Sequence, residues 1–243
     1  MLQDEFVLEQ LNQEGLVILQ PKTGYRFSLD AVLLARFPAL KKGYKIVDLG
    51  TGSGVIPLLL STREENLFIQ GVELQPRLAE LAKRSVTLNN KEDKIVIWEG
   101  DLKALPKDMN GKWDLVVSNP PYFKVNSGKI SEGEKAIARH ELKCSLEDVI
   151  NTGQRLLKPK GHFALVHRAE RLPEVMSFLS QVKLNPWRLK MVHPKKTKNA
   201  ELFLLEAVKG SMQTLKILPP LIIFDDSGQY TLEMEKIYAG FNI

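Results

Sequence analysis

The chain has 243 residues, with 34 Lys and Arg against 29 Asp and Glu, and a formal net charge of +5. Its hydrophobic fraction of 44% and charged fraction of 26% are typical of a folded globular domain and exclude a largely disordered chain. The single cysteine, Cys144, excludes an internal disulfide and a Cys-based zinc cluster. Because no apolar run approaches the roughly 18 residues of a membrane span and the N-terminus lacks signal-peptide features, we expect a cytoplasmic protein without a membrane partner.

Seven short runs of mostly apolar residues predict β-strands. They are Lys45–Leu49, Leu67–Leu74, Lys94–Glu99, Trp113–Ser118, Gly161–His167, Trp187–His193 and Glu201–Val208. Continuous apolar runs are typical of strands buried on both faces of a parallel sheet, and alternating helical patterns indicate right-handed crossovers. Too few residues separate the last two strands for a helical crossover, so we expect an antiparallel pair at one edge. The pattern predicts an α/β fold with a doubly wound, mostly parallel sheet.

Helical signals separate several of these strands. Pro76 suits the first turn of a helix, and Ser145-x-x-Asp148 predicts a capping box that opens another. Apolar residues from Leu172 to Val182 recur at helical spacing, and a further helix is expected after Thr231. These helices are the expected crossovers and terminal elements.

Two extensions flank the predicted central domain, residues 44–208. Residues 1–43 contain a candidate hairpin of Leu16–Leu19 with Tyr25–Phe27, followed by a short helix capped near Ser28 or Asp30. Residues 209–243 contain the apolar run Leu215–Phe224 and the expected final helix. We interpret the chain as one domain with an N-terminal hairpin and helix extension and a C-terminal extension packed on the same domain.

A glycine-rich loop follows the first predicted strand. Asp48 opens the pattern D-x-G-x-G-x-G, whose glycines are Gly50, Gly52 and Gly54. Alternate glycines let a ligand approach the backbone closely, and the following helix N-terminus offers N–H groups. Glu73 ends the second strand, where a carboxylate can accept hydrogen bonds from ribose hydroxyls, and Asp101 follows the third, where it can accept from an adenine amino group. A tight strand–helix connection is the alternative, but the two acids favour a nucleoside pocket.

The fourth predicted strand ends in Asn119-Pro120-Pro121-Tyr122-Phe123, opposite the glycine loop at the switch point of the sheet. The prolines fix the backbone and remove N–H donors, which leaves the Pro120 carbonyl rigidly held. Asn119 supplies a second acceptor, and Tyr122 supplies a flat face for stacking. Two acceptors on one NH2 group favour its attack on an electrophile because they stabilise the charge that develops on nitrogen. A proline-stopped turn is the alternative interpretation.

Asp48–Gly54, Glu73, Asp101 and Asn119–Tyr122 together resemble the motifs of class I S-adenosylmethionine-dependent methyltransferases of the amino-methylating type. This resemblance implies a Rossmann-like, seven-stranded sheet with an antiparallel last strand. It implies S-adenosylmethionine as cofactor. Glu73 and Asp101 would hold its nucleoside, the three glycines would allow its close approach, and Asp48 would order the loop or contact the methionine amino group.

Two further segments, Phe27–Leu34 and Tyr230–Met234, are similar to the bacterial family that includes the tRNA1(Val) adenine N6-methyltransferase. Asn119 and Pro120 would then orient the target nitrogen, next to the cofactor, and Pro121, Tyr122 and Phe123 would contact the substrate base. The resemblance implies methylation of an adenine N6 in structured RNA, most specifically a tRNA, without a metal. Protein glutamine and rRNA guanine N2 remain alternative acceptors, since the Asn-Pro-Pro-Tyr motif is shared among them.

Basic residues support an RNA partner. Lys195, Lys196 and Lys198 follow the sixth strand, on the expected face of Asn119. These lysines belong to a basic segment from Lys183 to Lys209 that also contains Arg188 and Lys190. The loop after Tyr122 adds five more basic residues, Lys124, Lys129, Lys135, Arg139 and Lys143. A solvated charged loop is the alternative interpretation. From other classes, we weigh a non-catalytic RNA-binding module and a nicotinamide-dependent oxidoreductase, the latter disfavoured by the absence of G-x-G-x-x-G.

Overall fold

The computed structural model describes residues 6–11, 15–22, 29–120 and 144–243. Its strands are β1 Phe6–Gln10, β2 Val17–Pro21, β3 Lys45–Leu49, β4 Phe68–Glu73, β5 Ile95–Glu99, β6 Trp113–Ser118, β7 Leu157–Arg168, β8 Leu184–Lys195, β9 Leu202–Lys209, β10 Lys216–Ile217 and β11 Leu221–Phe224. Its α-helices are α1 Leu29–Arg36, α2 Val55–Leu60, α3 Pro76–Leu88, α4 Leu146–Leu156, α5 Leu172–Gln181 and α6 Leu232–Tyr238. Among these described helices, none combines the length and the apolar character required to cross a membrane.

The central sheet has the strand order β10-β8-β9-β7-β6-β3-β4-β5, with β11 also paired to β8. Pairs from β7 through β5 are parallel, whereas β9 is antiparallel to both β7 and β8. The prediction of a mostly parallel α/β sheet with an antiparallel β8–β9 pair is therefore confirmed. All seven predicted strands are present, as β3 to β9, and the antiparallel pair lies towards one edge of the sheet, as expected. The apolar run from Leu215 supplies β10 and β11, which pair with the outer edge of β8 and give nine strands among the described residues.

Two hydrophobic cores lie on opposite faces of the sheet because successive strand side chains alternate. On β3, Ile46 belongs to the core formed with α1 and α2, whereas Val47 belongs to the core formed with α4 and α5. The predicted capping box of α4 is present, since the Ser145 hydroxyl accepts from the Asp148 N–H and the Asp148 carboxylate accepts from the Ser145 N–H. Helices on both faces leave the carboxyl ends of the parallel strands open at one edge of the sheet.

The N-terminal hairpin uses a strand, β1, that the sequence did not predict. Strand β2 pairs antiparallel with the preceding β1, from Phe6↔Pro21 to Gln10↔Val17, and the expected partner Tyr25–Phe27 lies outside the described residues. The hairpin docks on α3, where the Leu19 N–H donates to the Ser85 hydroxyl over 3.0 Å and the Asn89 side chain bonds to both backbone groups of Val17. The hairpin is therefore attached to a crossover helix of the central domain.

Candidate active site

Strands β3 and β6 lie side by side where the strand order reverses. Asp48 of β3 is opposite Val117 of β6 in the parallel register. One residue further, the buried Ser118 hydroxyl donates to the Leu49 carbonyl oxygen over 2.8 Å. The glycine loop and Asn119 therefore begin at adjacent positions on the same edge, which is the arrangement that the sequence predicts.

The three glycines of the loop all have positive φ, at 78° for Gly50, 59° for Gly52 and 91° for Gly54. A Cβ added at Gly50 or Gly52 would meet no heavy atom within 4 Å, so these two positions border open space. At Gly54 an added Cβ would lie 3.3 Å from the Cβ of Ala82 on α3. Left-handed backbone and open space at Gly50 and Gly52 leave room for a ligand against the main chain.

Glu73, the last residue of β4, holds the loop in place. Its Oε2 accepts from the Gly52 N–H over 2.8 Å, and its Oε1 accepts from the Gln75 N–H over 2.9 Å. The side chain is buried, with 5% of the residue exposed. Each carboxylate oxygen has lone pairs beyond the one used, so Glu73 can accept further hydrogen bonds from a ligand.

Asp48 is the unusual group of the site. It is fully buried, and neither carboxylate oxygen has a hydrogen-bond partner among the described residues. Burial raises the pKa of Asp48 to about 7, and the negative charge of Glu73 adds to this shift. The nearby Thr51 hydroxyl opposes the shift, although it does not form a hydrogen bond of normal geometry with the carboxylate. A buried carboxylate without a donor is costly, and a cationic ligand or a bound water would relieve that cost.

Asp101 lies at the same edge, in the turn after β5. Its Oδ1 accepts from the Lys103 N–H over 2.9 Å and so caps a short 3₁₀ turn. Its Oδ2 lies 3.8 Å from the Lys103 Nζ, and its side chain is 37% exposed. Strand β5 is the neighbour of β4, and Glu99 is opposite Glu73. Asp101 therefore lies one strand away from Glu73, after the end of β5.

On the other side of the switch point, Asn119 is half-buried and Pro120 is buried, both directly after β6. The remaining predicted substrate residues, Pro121, Tyr122 and Phe123, lie outside the described residues. So do the five basic residues predicted between 124 and 143. The structure thus brings together the glycine loop, Asp48, Glu73 and Asn119, with Asp101 and Pro120 at the ends of neighbouring strands.

The basic loop, residues 195–198, lies on this edge as predicted, because β8 runs in the same direction as β6. Three strand spacings separate β8 from β6, a distance of about 14 Å. The loop is held by the Lys198 N–H, which bonds to the Lys195 carbonyl over 3.0 Å, and by the Lys198 carbonyl, which lies 2.8 Å from the His193 Nδ1. Lys196 and Lys198 are exposed.

The prediction that the basic residues outside this loop form one basic edge beside the site is wrong. Arg188 pairs with the buried Glu206 and also donates to the Phe37 carbonyl. Lys190 is buried against Glu233, at 2.9 Å between Nζ and Oε1. The remaining two, Lys183 and Lys209, lie at the opposite edge of the sheet, where the Lys209 Nζ bonds to two carbonyl oxygens.

One site contact was missed from the sequence. The side chain of Gln20, on β2, is fully buried and its Nε2 donates to the Ser53 Oγ in the glycine loop over 3.1 Å. A glutamine in a strand carries no sequence signal for such a contact, since its partner lies 33 positions away. Burial raises the pKa of the Cys144 thiol to about 12, which makes it a poor nucleophile. Within the described ranges no cluster of His, Cys, Asp and Glu is arranged to hold a metal.

A doubly wound sheet with a glycine loop, a strand-end glutamate and an Asn-Pro pair after the strand at its switch point is the framework of a nucleoside-dependent transferase. Residues 29–182 match the methyltransferase small domain family, and the chain belongs to that family. It is therefore a methyltransferase.

Individual proteins with similar sequences or folds are consistent with this family. The chain is 31% identical over 225 residues to a Porphyromonas gingivalis protein named tRNA1(Val) (adenine(37)-N6)-methyltransferase, covering 89% of this chain and 88% of that one. A Histophilus somni protein of the same name is 28% identical, and the match covers 98% of this chain and 96% of that protein. Among solved structures, a predicted O-methyltransferase from Agrobacterium tumefaciens has a TM-score of 0.71 at 24% identity and covers 88% of this chain and 97% of that chain. The match to the Agrobacterium tumefaciens structure supports the fold alone.

Proposed function

We propose that this enzyme transfers a methyl group from S-adenosylmethionine to the N6 amino group of an adenine in a tRNA. The observation that carries the proposal is the placement of Asn119 and Pro120 directly after β6, beside the glycine loop that follows β3. The relatives named for adenine N6 methylation extend over nearly the whole chain, which supports adenine over the alternative acceptors, protein glutamine and guanine N2.

The residues at the switch point fit S-adenosylmethionine, which when bound supplies a methyl group made electrophilic by the cationic sulfur. Gly50 and Gly52 leave open space against the backbone. The free lone pairs of Glu73 suit ribose hydroxyls, and Asp101 suits an adenine amino group. Asp48, buried and without a donor, suits the methionine ammonium, directly or through a water.

Asn119 and Pro120 would act on the target nitrogen. The lone pair of an aromatic amino group is delocalised into its ring, so the nitrogen is a weak nucleophile. The Asn119 side-chain carbonyl and the Pro120 main-chain carbonyl would each accept one N–H, which favours pyramidal nitrogen and stabilises the developing positive charge. Tyr122 would stack on the base, with Pro121 and Phe123 beside it, and no catalytic base is required because the proton can leave after transfer.

The basic loop would contact the RNA backbone. Lys195, Lys196 and Lys198 lie on the site edge, and Lys side chains bind phosphates with a favourable release of counterions, so the affinity falls as salt is added. A tRNA substrate also agrees with the cytoplasmic location that we infer from the sequence.

The proposal is tested by mapping modified nucleosides in tRNA from cells with and without the gene by mass spectrometry. We expect one N6-methyladenosine to disappear from one tRNA and to return when the purified enzyme and S-adenosylmethionine are added to that tRNA. Loss of N2-methylguanosine or of a methylated protein glutamine instead would identify one of the alternatives. An unchanged set of modifications together with retained RNA binding would indicate a non-catalytic module.

A further inference from the structure

Three aromatic rings stack at the outer corner of the sheet. The rings of Phe224 and Tyr230 are nearly parallel, at 9° with centroids 5.2 Å apart, and those of Tyr230 and Tyr238 lie 5.3 Å apart at 35°. We refer to Phe224, Tyr230 and Tyr238 as the aromatic stack. Phe224 and Tyr238 also pack against the core beneath, whereas Tyr230 remains 41% exposed. The proposed methylation chemistry gives the exposed Tyr230 side chain no role.

The aromatic stack lies beside the basic loop on the edge that carries the active site. In the parallel register of β11 with β8, Phe224 is opposite Lys195. Since β8 and β6 run in the same direction, both the stack and Asn119 lie at the carboxyl ends of their strands. Four strand spacings separate β11 from β6, or about 19 Å.

Charges of both signs surround the stack, and the cations available to a polyanion are those of the basic loop. Lys196 and Lys198 are exposed in the basic loop. Of the nearby acids, Asp225 accepts from the Ser227 hydroxyl and the Gln229 N–H, and Glu233 pairs with Lys190. Asp225 and Asp226 are both exposed in the turn, and Glu235 is exposed on α6. Exposed aromatic rings beside solvated cations are the combination with which proteins bind unpaired nucleotides.

We propose that the aromatic stack and the basic loop bind a second, unpaired segment of the RNA whose adenine is methylated, with a base packed against the exposed part of Tyr230 and phosphates at the lysines. This inference rests on the proposed function for the identity of the RNA. At about 3.4 Å per stacked nucleotide, 19 Å corresponds to roughly five nucleotides between the methylated base and the one on Tyr230. The surface would therefore select substrates by what lies beyond the target adenine.

RNA binding by Tyr230 variants tests the proposal, with an unmodified valine tRNA transcript as the probe and fluorescence anisotropy as the measurement. We expect Tyr230→Ala to raise the Kd about 5- to 150-fold, the range for losing one base–aromatic stack. Tyr230→Trp keeps a ring and should bind nearly as well as the wild type, whereas Tyr230→Leu, which keeps apolar cover, should not. Phe241→Ala is the matched control because Phe241 is 62% exposed and lies outside the stack.

Salt dependence separates the two parts of the surface. Tyr230→Ala removes no charge and should leave the slope of log Kd against log salt unchanged. Replacing Lys195, Lys196 and Lys198 with Ala should lower that slope by about 0.7–0.9 for each lost phosphate contact. The affinity for S-adenosylmethionine should change in neither variant.

Equal RNA affinity of Tyr230→Ala and wild type, or of Tyr230→Leu and wild type, would overturn the proposal. If the variants do not fold, the wild type can be photo-crosslinked to a transcript that contains 4-thiouridine. We expect a crosslink within residues 224–238, and the absence of one would contradict the proposal. A change of oligomeric state in Tyr230→Ala with unchanged RNA affinity would assign the stack to a second copy of the chain. If the wild type binds the tRNA through Tyr230 without methylating an adenine, the proposed function fails and the binding surface stands.

Discussion

The Ser118 hydroxyl donates a hydrogen bond to the Leu49 carbonyl oxygen over 2.8 Å, although the two residues lie 69 positions apart. Ser118 is the last residue before Asn119, and Leu49 is the last before Gly50. The bond therefore fixes the position of Asn119 relative to the start of the glycine loop. Ser118 precedes the Asn-Pro-Pro-Tyr motif, and Leu49 occupies an unspecified position of the Asp48–Gly54 motif, yet the bond between them sets the distance between the two motifs.

Replacing Ser118 with Ala should lower kcat more than the affinity for either ligand, because a small displacement of Asn119 is costly to positioning. The free energy of unfolding should fall by about 1 kcal/mol, the usual net value of one hydrogen bond. Ser61→Ala is the matched control: Ser61 is also buried and donates to a carbonyl oxygen, that of Leu58, away from the switch point. Equal kcat in both variants would show that the Ser118 bond is only structural.

The elements near the switch point follow from local sequence patterns, whereas the errors arise from non-local partners. Apolar strands and a glycine loop are sufficient to place Glu73 and Asn119 at one edge, because parallel strands end together. The partner of β2 could not be identified, since a short strand pairs equally well with a segment before or after it. Arg188 and Lys190 looked available for RNA because their partners, Glu206 and Glu233, are distant in sequence.

The N-terminal hairpin should contribute to cofactor affinity through Gln20. Gln20→Ala removes the donor to Ser53 in the glycine loop, and we expect S-adenosylmethionine to bind more weakly by about 1 kcal/mol, measured by calorimetric titration. Ser85→Ala removes a hairpin contact that lies on α3 instead. That control should lower stability with little change in cofactor affinity; equal losses of affinity in both variants would mean that Gln20 acts only by holding the hairpin.

Glu73 should be important for cofactor binding. Glu73→Ala removes a carboxylate that accepts from the Gly52 N–H and has lone pairs left for a ribose, so the binding free energy should weaken by about 1.5–3 kcal/mol. Glu99→Ala, at the paired position on β5, is exposed and should bind as the wild type does. Calorimetric affinity unchanged by Glu73→Ala would remove the ribose assignment.

Asp48 should make the stability of the cofactor-free protein depend on pH. Its folded pKa of about 7 exceeds the ordinary value of 3.8, so between these values the folded state binds more protons than the unfolded state. The free energy of unfolding therefore falls as pH rises from about 4 to about 7. Asp48→Asn should be more stable than the wild type at pH 8, by up to roughly 4 kcal/mol at about 1.4 kcal/mol per pKa unit, and this advantage should shrink towards pH 5.

Urea titrations of both proteins at pH 5, 6, 7 and 8 measure this difference, and a difference that does not change with pH would contradict the raised pKa of Asp48. Cofactor binding provides a second readout. If the carboxylate pairs with the methionine ammonium, wild-type affinity for S-adenosylmethionine should fall below pH 7, where Asp48 is protonated. Asp48→Asn should bind weakly at every pH.

Asn119 should matter in the transition state more than in binding. As positive charge develops on the target nitrogen, the hydrogen bond to the Asn119 carbonyl strengthens, so Asn119→Ala should reduce kcat by roughly 10²–10³ while both Kd values change little. Asn119→Asp keeps an acceptor and should retain part of the activity. Single-turnover methyl transfer to unmodified tRNA measures the effect, with separate titrations of RNA and cofactor. Near-wild-type transfer by Asn119→Ala would remove the proposed amino-methylation mechanism.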